Sequence, residues 1–510
     1  MSRPDIPSSS QRGTSPRGPV RSRDDAGASQ HGTSPRGPVR SRDDARASQR
    51  AVILVVSAVA AFFTPFMGSA VNIALPSIGR ELQMNAVLLG WLGTAYSLAA
   101  AIFLIPFGKI ADIRGRKAVF GWGSLIFGLS TLGSAVAFSP ALLLASRVVQ
   151  GIGGAMIFST GVAMLTAAYP PSERGKVLGI NVSSTYVGLS LGPVLGGFLT
   201  QNLGWRSIFV ILGVLGLVLA AVVALVLKPE PPHAAGGKLD APGSLLLGAS
   251  LVAIMLGLSR LPRLWGAGLI AAAFVGLVGF ARVESRAPDP VLPLALFRRN
   301  PAFLFSNLAA LINYCATTAV TFLLSLYLQY IKGLTPQQAG LVLIAQPVVM
   351  AVLSPLAGRL SDRLEPRFLA STGMAVSAIG LFMMSFIGAS TSLVFVGAGL
   401  FVLGFGFALF SSPNTNAVMS SVERTSFGVA SAVLGTMRLT GQMLSMGLAT
   451  LVFSLYLGSA RIVPENHARF LAAMKTAGLF FAGLCVLGVF ASHVRGRMRA
   501  PGNDVDGGRT

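Results

Sequence analysis

Long apolar segments alternate with short polar connections from residue 51 almost to the C-terminus. A helix needs about 20 apolar residues to cross roughly 30 Å of hydrocarbon. Segments of this kind occur at 51–76, 88–108, 118–138, 141–168, 176–199, 206–227, 242–259, 264–283, 302–330, 338–358, 368–388, 392–413, 427–456 and 473–493. Open strands are excluded at that depth, because their unpaired backbone groups would lack partners. The pattern predicts an all-α polytopic membrane protein with fourteen transmembrane helices.

Composition agrees with a chain that lies mostly in lipid. Hydrophobic residues make up 53% of the chain and charged residues 11%, whereas a soluble domain carries about 25% charged residues. The net charge of +22 would favour a nucleic-acid partner in a soluble protein. In a membrane protein the same charge sets topology, so we predict no nucleic-acid partner. Cys315 and Cys485 lie in apolar segments, and the sequence predicts no disulfide, metal site or cofactor.

Basic residues concentrate after the even-numbered segments. They are Lys109, Arg114, Arg116 and Lys117, then Arg174 and Lys176, then Arg282, Arg286, Arg298 and Arg299, and finally Arg359, Arg363 and Arg367. Lys and Arg collect in cytoplasmic loops, and an even number of crossings puts both termini on one side. We therefore predict a multi-pass protein of the cytoplasmic membrane with both termini in the cytoplasm.

The N-terminal residues 1–50 form an Arg-, Pro- and Ser-rich tail with a tandem repeat. The sequence G-T-S-P-R-G-P-V-R-S-R-D-D-A at 13–26 recurs at 32–45, a period of 19 residues. Such a segment has too little apolar surface to offset the loss of chain entropy. We predict that it is disordered and cytoplasmic, and that residues 496–510 are a second disordered tail.

An internal repeat relates the two ends of the apolar region. Gly108 and Asp112 are matched by Gly358 and Asp362, and Glu173 is matched by Glu423, each pair 250 residues apart. The repeat predicts a six-helix bundle at 51–227, two extra helices and a linker at 228–300, and a second six-helix bundle at 301–495. Two halves in parallel orientation are typical of transporters that hold their substrate between the halves.

The connection after the second segment carries a motif. It reads G-K-I-A-D-I-R-G-R-K at 108–117 and resembles the loop 2–3 signature of the major facilitator superfamily. We expect the glycine to let two helices approach, the aspartate to face a helix N-terminus, and the basic residues to pair with acidic groups across the cytoplasmic gap. The predicted latch residues are Gly108, Asp112, Arg116 and Lys117, with Gly358, Asp362 and Arg363 in the second copy. The alternative is a basic loop that only sets topology.

Further fragments resemble the fourteen-helix drug:proton antiporter-2 branch of that superfamily, over about residues 51–495. R-V-V-Q-G-I-G-G-A at 147–155 resembles its membrane-embedded arginine motif, and G-L-S-L-G-P-V-L-G-G at 188–197 resembles its antiporter motif. The first assigns transport or coupling to Arg147 and Gln150, unless the arginine snorkels to the headgroups. The second predicts a helix bend, or helix packing alone, at Gly188, Gly192, Pro193, Gly196 and Gly197.

V-N-I-A-L-P at 71–76, W-L-G-T-A-Y at 91–96 and Y-L-Q at 327–329 extend the resemblance. It implies a secondary transporter that exports drugs or other small amphiphiles by alternating access, and we predict a monomer. No catalytic motif indicates an enzyme, and neither tail suggests the folded domain of a sensor. The predicted substrate cavity comprises Met67, Asn72, Tyr96, Asn313, Tyr327, Gln329 and Asn414.

One position departs from the branch pattern. Met67 stands where the branch usually has an aspartate, and every acidic residue between 51 and 499 is placed in a loop or at a helix end. A proton-coupled carrier needs a group in its cavity that gains and loses a proton. We therefore expect proton dependence to be weak or to arise outside the cavity, for example at Asp112. The alternative function is a metabolite-specific exporter or facilitator that is not coupled to protons.

Deep charges indicate the kind of substrate. Arg147 and Arg438 are the positive residues at membrane depth, and no deep carboxylate faces them. Charges in a medium of low dielectric attract counter-charges, which favours neutral or anionic amphiphiles over cations. On this interpretation the loss of Arg147 would selectively impair anion transport. The alternative is that both arginines bond only to backbone carbonyls and never meet the substrate.

Overall fold

The computed structural model describes residues 39–227, 240–287, 290, 292, 294–423, 427–458 and 460–494. These residues contain fourteen helical spans that are long and apolar enough to cross a membrane. The predicted all-α class and number of spans are confirmed.

The helices run in chain order as follows. The first eight are α1 (Val39–Glu81), α2 (Ala86–Arg114), α3 (Arg116–Ala135), α4 (Pro140–Ala168), α5 (Pro171–Asn202), α6 (Arg206–Val226), α7 (Ala241–Arg260) and α8 (Leu264–Glu284). The rest are α9 (Leu294–Arg299), α10 (Pro301–Thr317), α11 (Ala319–Leu326), a π-helix (Tyr327–Ile331), α12 (Pro336–Leu343), α13 (Ala345–Arg363), α14 (Pro366–Met384), α15 (Leu393–Ser420), α16 (Phe427–Tyr456), a 3-10 turn (Pro464–Asn466) and α17 (His467–Val494).

The first helix begins earlier than predicted. Residues 39–50 are helical, although the sequence interpretation placed them in a disordered tail. Pro38 ends the Pro- and Gly-rich stretch, and neither residue type recurs before Pro65. Proline disfavours the helical conformation in the residue before it but fits the start of a helix, so a helix can propagate from this point into the apolar segment. The rest of the predicted tail and residues 496–510 lie outside the described residues.

The ninth span, predicted as one segment, is interrupted between α10 and α11. The backbone N–H of Ala319 donates to the Ser445 hydroxyl of α16 at 2.9 Å instead of continuing the α10 ladder. The Thr318 hydroxyl bonds back to the Tyr314 carbonyl at 2.7 Å, a pattern that often bends helices. Because these bonds depend on a tertiary partner, the apolar pattern alone does not show the interruption.

The largest helix contacts fall within α1–α6, within α10–α17 and between α7 and α8. Within α1–α6, the N-terminal half, α3 packs on α4 and α6, and α2 packs on α4. Within α10–α17, the C-terminal half, α14 packs on α15 and α17, and α10 packs on α16 and α17. Helix α7 contacts α8, α2 and α16, so it touches both halves from the side. We call the end of the bundle that carries Arg114 and Arg116 the basic face and the other end the opposite face.

Helices of the two halves meet tightly at the opposite face. Gly197 of α5 lies against Pro336 of α12, where a methyl group would be 2.5 Å from the carbonyl oxygen. Gly340 of α12 lies in turn against Pro193 of α5, where a methyl group would be 2.8 Å from the carbonyl carbon. Small residues let helix backbones approach closely, and this reciprocal pair closes α5 onto α12.

Helix α1 meets the C-terminal half through hydrogen bonds at the same face. The Ser325 hydroxyl donates to the Asn72 carbonyl at 2.5 Å, and Nε2 of Gln329 donates to the Ile73 carbonyl at 2.9 Å. Pro76 has no N–H, so the Asn72 carbonyl four residues earlier lacks its helical donor. Ser325 supplies that donor from the other half. We call these α1 and α5 contacts with the C-terminal half the seal.

Candidate transport site

Arg147 is enclosed in the N-terminal half. Its side chain is 2% exposed; Nε donates to the Leu92 carbonyl of α2 at 3.3 Å, and Nη1 donates to Oε1 of Gln150. Gln150 continues the chain by donating to the Thr131 hydroxyl of α3 at 2.6 Å. The guanidinium lies over the Tyr96 ring, 4.9 Å from its centre. Arg147 therefore links α2, α3 and α4 and does not snorkel to the headgroups.

Arg438 of α16 lies in a more open setting. Its side chain is partly exposed, Nη2 donates to the Thr415 hydroxyl of α15 at 2.6 Å, and the guanidinium is 5.7 Å from the centre of the Tyr314 ring of α10. Nε is buried without a hydrogen-bond partner among the described residues. Each arginine thus has its own aromatic neighbour, Tyr96 for Arg147 and Tyr314 for Arg438. The two differ in how many of their N–H donors have acceptors.

No carboxylate balances these charges within the described part of the chain. The ion pairs found there join Arg116 to Asp112 and Arg206 to Glu81. Asp112 and Glu81 both lie in the last turn of a helix. Met67 is 1% exposed and packs in the hydrophobic core, so the position that differs from the branch pattern carries an apolar group inside the protein.

Most of the predicted cavity residues are enclosed in this conformation. Tyr327 is fully buried and donates to the Gly388 carbonyl at 2.9 Å. Gln329 and Asn72 belong to the seal. The hydrogen bonds of the Tyr327 and Gln329 side chains and of the Asn72 backbone carbonyl hold these residues at the opposite face, and their place in a substrate cavity stays a prediction.

Two asparagines from the same prediction lie inside the C-terminal half. Nδ2 of Asn414 donates to the Ser306 carbonyl at 3.1 Å. Asn313 is 0% exposed, and neither atom of its side-chain amide has a hydrogen-bond partner among the described residues. Tyr96 is the remaining predicted member, and it is partly exposed beside Arg147.

The latch residues make contacts within the N-terminal half in this conformation. Arg116 donates to Oδ1 of Asp112 through Nε at 3.2 Å and Nη2 at 3.0 Å, and to the Ala163 carbonyl of α4 at 3.1 Å. Lys117 donates to the Leu227 carbonyl after α6. The expected pairing of Arg116 and Lys117 across the gap is absent from these described contacts, because each finds a nearer acceptor in its own half.

The glycines of the latch motif differ between its two copies. A methyl group at Gly108 would have Ser159 as its nearest neighbour at 3.8 Å, an ordinary contact, so the expected close helix approach is not found there. A methyl group at Gly358 would lie 2.8 Å from the Ser412 hydroxyl of α15. The side chain of Asp362 lies outside the described residues, and Arg363 follows it in the last turn of α13.

The glycines of α5 pack against α1. Methyl groups at Gly192 and Gly196 would lie 2.5 Å from Ser69 and 2.6 Å from Ala70, and one at Gly188 would meet the Phe62 carbonyl. Helix α5 continues through Pro193 to Asn202. Of the two interpretations of this motif, packing accounts for the first three glycines, whereas Gly197 and the Pro193 carbonyl take part in the seal.

Sequence reasoning missed a pair of acidic residues at the basic face. Asp240 caps α7 by accepting from the Gly243 N–H at 3.0 Å, and Glu284, the last residue of α8, is only 2% exposed and accepts from the Leu292 N–H. Both carboxylates lie against Gly243. Because Asp240 and Glu284 lie at helix ends, the sequence suggests that their side chains are solvated. No local sequence pattern indicates that the α7–α8 hairpin brings these two residues together.

Tyr169 connects the α4–α5 turn to the start of the first span. Its hydroxyl donates to the Arg50 carbonyl at 2.9 Å. Burial raises the pKa of this phenol above its ordinary value, and nearby Glu173 adds to the increase while Arg50 opposes it. The phenol therefore remains a neutral hydrogen-bond donor at physiological pH.

Two helical halves that close at one face around buried polar groups are the architecture of a secondary membrane transporter. The chain belongs to the Major Facilitator Superfamily, whose sequence model matches residues 57–446 and 306–506. The predicted resemblance to this superfamily is confirmed.

Its relatives include proteins that are named for transport, export or drug resistance. The chain is 29% identical to the riboflavin transporter RibZ of Clostridioides difficile, over 86% of this chain and 97% of the relative. It is 31% identical to the cephamycin export protein CmcT of Amycolatopsis lactamdurans, over 85% and 91%. It is 30% identical to the multidrug resistance protein Stp of Mycobacterium tuberculosis, over 79% and 77%.

Solved structures share the fold at low sequence identity. A bacterial homologue of the human lysosomal transporter Spinster, in an inward-facing conformation, has a TM-score of 0.65 and 17% identity, over 88% of this chain and 97% of that one. The POT family transporter PepTSo has a TM-score of 0.65 and 16% identity, again over 88% of this chain and 97% of that one.

Proposed function

We propose that this protein exports small neutral or anionic amphiphiles across the cytoplasmic membrane by alternating access. The observation that carries the proposal is Arg438, a partly exposed cation deep in the helices with no ion-pair partner among the described residues. A cationic drug would meet like charge there, whereas an anion would gain a partner. The names of CmcT and Stp, an export protein and a multidrug resistance protein, support outward transport of such compounds.

The same proposal assigns the two faces. The basic face, with Arg114, Arg116 and Lys117, is cytoplasmic because such residues are retained on that side. Both termini then lie in the cytoplasm, and the seal closes the outer face in this conformation. The transporter works as a monomer with the lipid bilayer around it, without cofactor, metal or nucleic acid.

Export should depend only weakly on a pH gradient. Met67 is buried and apolar, and the described residues place no carboxylate between the halves, so no group there exchanges a proton within the physiological range. The test is transport of a compound panel by the purified protein in proteoliposomes, with and without an imposed gradient. Steep acceleration by the gradient that survives Asp112→Asn would reveal a proton carrier elsewhere and contradict this prediction.

A second candidate is export or facilitated diffusion of one specific metabolite without proton coupling. The similarity to RibZ, named as a riboflavin transporter, and the apolar Met67 favour it. The same panel separates the two candidates. Several unrelated amphiphiles that compete with one another support the first, and a single transported compound supports the second.

Asp112→Asn should slow transport about two- to fivefold, the effect expected of a partly exposed ion pair. Asp112 holds Arg116, which also bonds the Ala163 carbonyl of α4, so its loss loosens the α2–α4 contact that must reorganise when the cytoplasmic side closes. Asp362→Asn should act in the same direction but less. The measurement is initial export rate at equal protein level.

Glu465→Gln is the matched control for this pair. It neutralises an exposed carboxylate in the 3-10 turn before α17, at the opposite face. The control should export at the parental rate. Parental rates in Asp112→Asn and Asp362→Asn as well would refute the latch interpretation.

A further inference from the structure

Arg438 is held by two groups that leave part of it unused. Thr415 accepts from Nη2, and the Tyr314 ring supports one face of the guanidinium. Among the described residues Nε has no hydrogen-bond partner although it is buried, and a buried donor left unpaired costs free energy. Arg147 offers the contrast, since its Nε donates to the Leu92 carbonyl. Within the described residues, Nε of Arg147 therefore has an acceptor and Nε of Arg438 has none.

The surroundings of Arg438 are aromatic and hydroxylic. Tyr314 packs edge-on against Phe407, with ring centres 5.3 Å apart, and its hydroxyl interacts with Ser411. Tyr186 of α5 lies near enough to Tyr314 to interact with it electrostatically. Since α5 belongs to the N-terminal half, a ligand on Arg438 and Tyr314 can also touch the other half.

The unused edge of a planar guanidinium matches one kind of ligand best. A carboxylate accepts two parallel N–H bonds from arginine and supplies the missing charge. Aromatic rings beside it offer a platform for a flat apolar body. A neutral amide can accept a bond there but brings no charge, and a quaternary cation is repelled.

We propose that Arg438, Tyr314 and Thr415 form the recognition subsite for the carboxylate of an aromatic carboxylic acid, with the ring of the substrate resting against Tyr314. The inference rests on the proposed function and names its substrate class. It assigns substrate charge recognition to Arg438 and a structural role to Arg147.

Three probes with one ring system test this subsite: a naphthalene carboxylate, the matching carboxamide and the matching trimethylammonium. Binding to the purified full-length protein and export from proteoliposomes are both measured. Arg438→Gln should lower carboxylate binding and export about ten- to a hundredfold, as loss of a charged hydrogen bond predicts, and should affect the carboxamide far less, because the amide loses no charge interaction. Arg438→Lys should retain part of the carboxylate binding, because it keeps the charge without the planar fork.

The control is Arg260→Gln, which removes another arginine stacked on an aromatic ring, that of Trp265 at 4.9 Å, on the peripheral α7–α8 pair. It should change nothing. Equal losses for carboxylate and carboxamide in Arg438→Gln, or an unchanged carboxylate, would overturn the subsite even if export persists. Carboxylate binding that depends on Arg438 without any export by the parental protein would overturn the export function and leave the subsite standing.

Discussion

Gly340→Ala should abolish most transport while the protein still folds. The added methyl group would lie 2.8 Å from the carbonyl carbon of Pro193 and closer to its oxygen, and the obstacle is helix backbone that cannot rotate away. Overpacking of this kind costs about 1–3 kcal/mol, which shifts the ratio of sealed to open conformations about five- to a hundredfold. We expect export from proteoliposomes to fall by a similar factor.

The control for this variant is Gly483→Ala in α17. Both glycines lie inside helices, so alanine raises helix propensity equally, but a methyl group at Gly483 meets nothing within 4 Å. Opening can be observed with Ser325→Cys, since Ser325 is buried in the seal and the native cysteines are buried. Faster labelling of that cysteine from outside should accompany Gly340→Ala. Parental export and labelling would show that α5 and α12 do not need this close approach.

Arg147→Met should impair export of neutral and anionic compounds alike. The change removes the donors to the Leu92 carbonyl and to Oε1 of Gln150, and it leaves the Gln150 oxygen buried without a donor, at about 1–3 kcal/mol. It also removes the support for the Tyr96 ring. Because α2, α3 and α4 lose a shared anchor, we expect a lower thermal unfolding temperature together with a lower export rate for every substrate.

Arg438→Gln is the variant with which Arg147→Met should be compared, for both thermal stability and export. It should leave thermal stability nearly intact and impair only anionic substrates. Selective loss of anion export in Arg147→Met, at parental stability, would return the substrate-charge role to Arg147, as the sequence alone suggested.

The features that depend on a continuous apolar pattern along the chain could be predicted from the sequence. The fourteen spans follow from hydropathy, and the burial of Arg147 follows from its place in an apolar segment. The hydrogen bond from Arg147 to the Leu92 carbonyl could not be predicted, because every residue type supplies a backbone carbonyl. The hydrogen bond of Ser325 could not be predicted for the same reason. Its acceptor is the Asn72 carbonyl, which lacks a helical donor because residue 76 is a proline.

Features that depend on which residues meet in space were predicted less well. The predicted cavity counts Tyr327 among its aromatic and polar side chains, but the sequence does not show that the Tyr327 hydroxyl donates to the Gly388 carbonyl within the C-terminal half. Asp240 and Glu284 lie more than forty residues apart in the sequence and meet only because α7 and α8 form a hairpin. The glycines of α5 were recognised as a motif, but only the neighbouring helices distinguish packing at Gly192 from sealing at Gly197.

The central claim is that this chain carries neutral and anionic amphiphiles across a membrane, and efflux from proteoliposomes tests it most directly. Vesicles containing the purified protein are loaded with the naphthalene carboxylate, carboxamide or trimethylammonium, and the release of each is compared with release from vesicles without protein. We predict protein-dependent release of the carboxylate and the carboxamide and retention of the trimethylammonium. Release of the trimethylammonium alone, or release of all three at the rate of the protein-free vesicles, would contradict the claim.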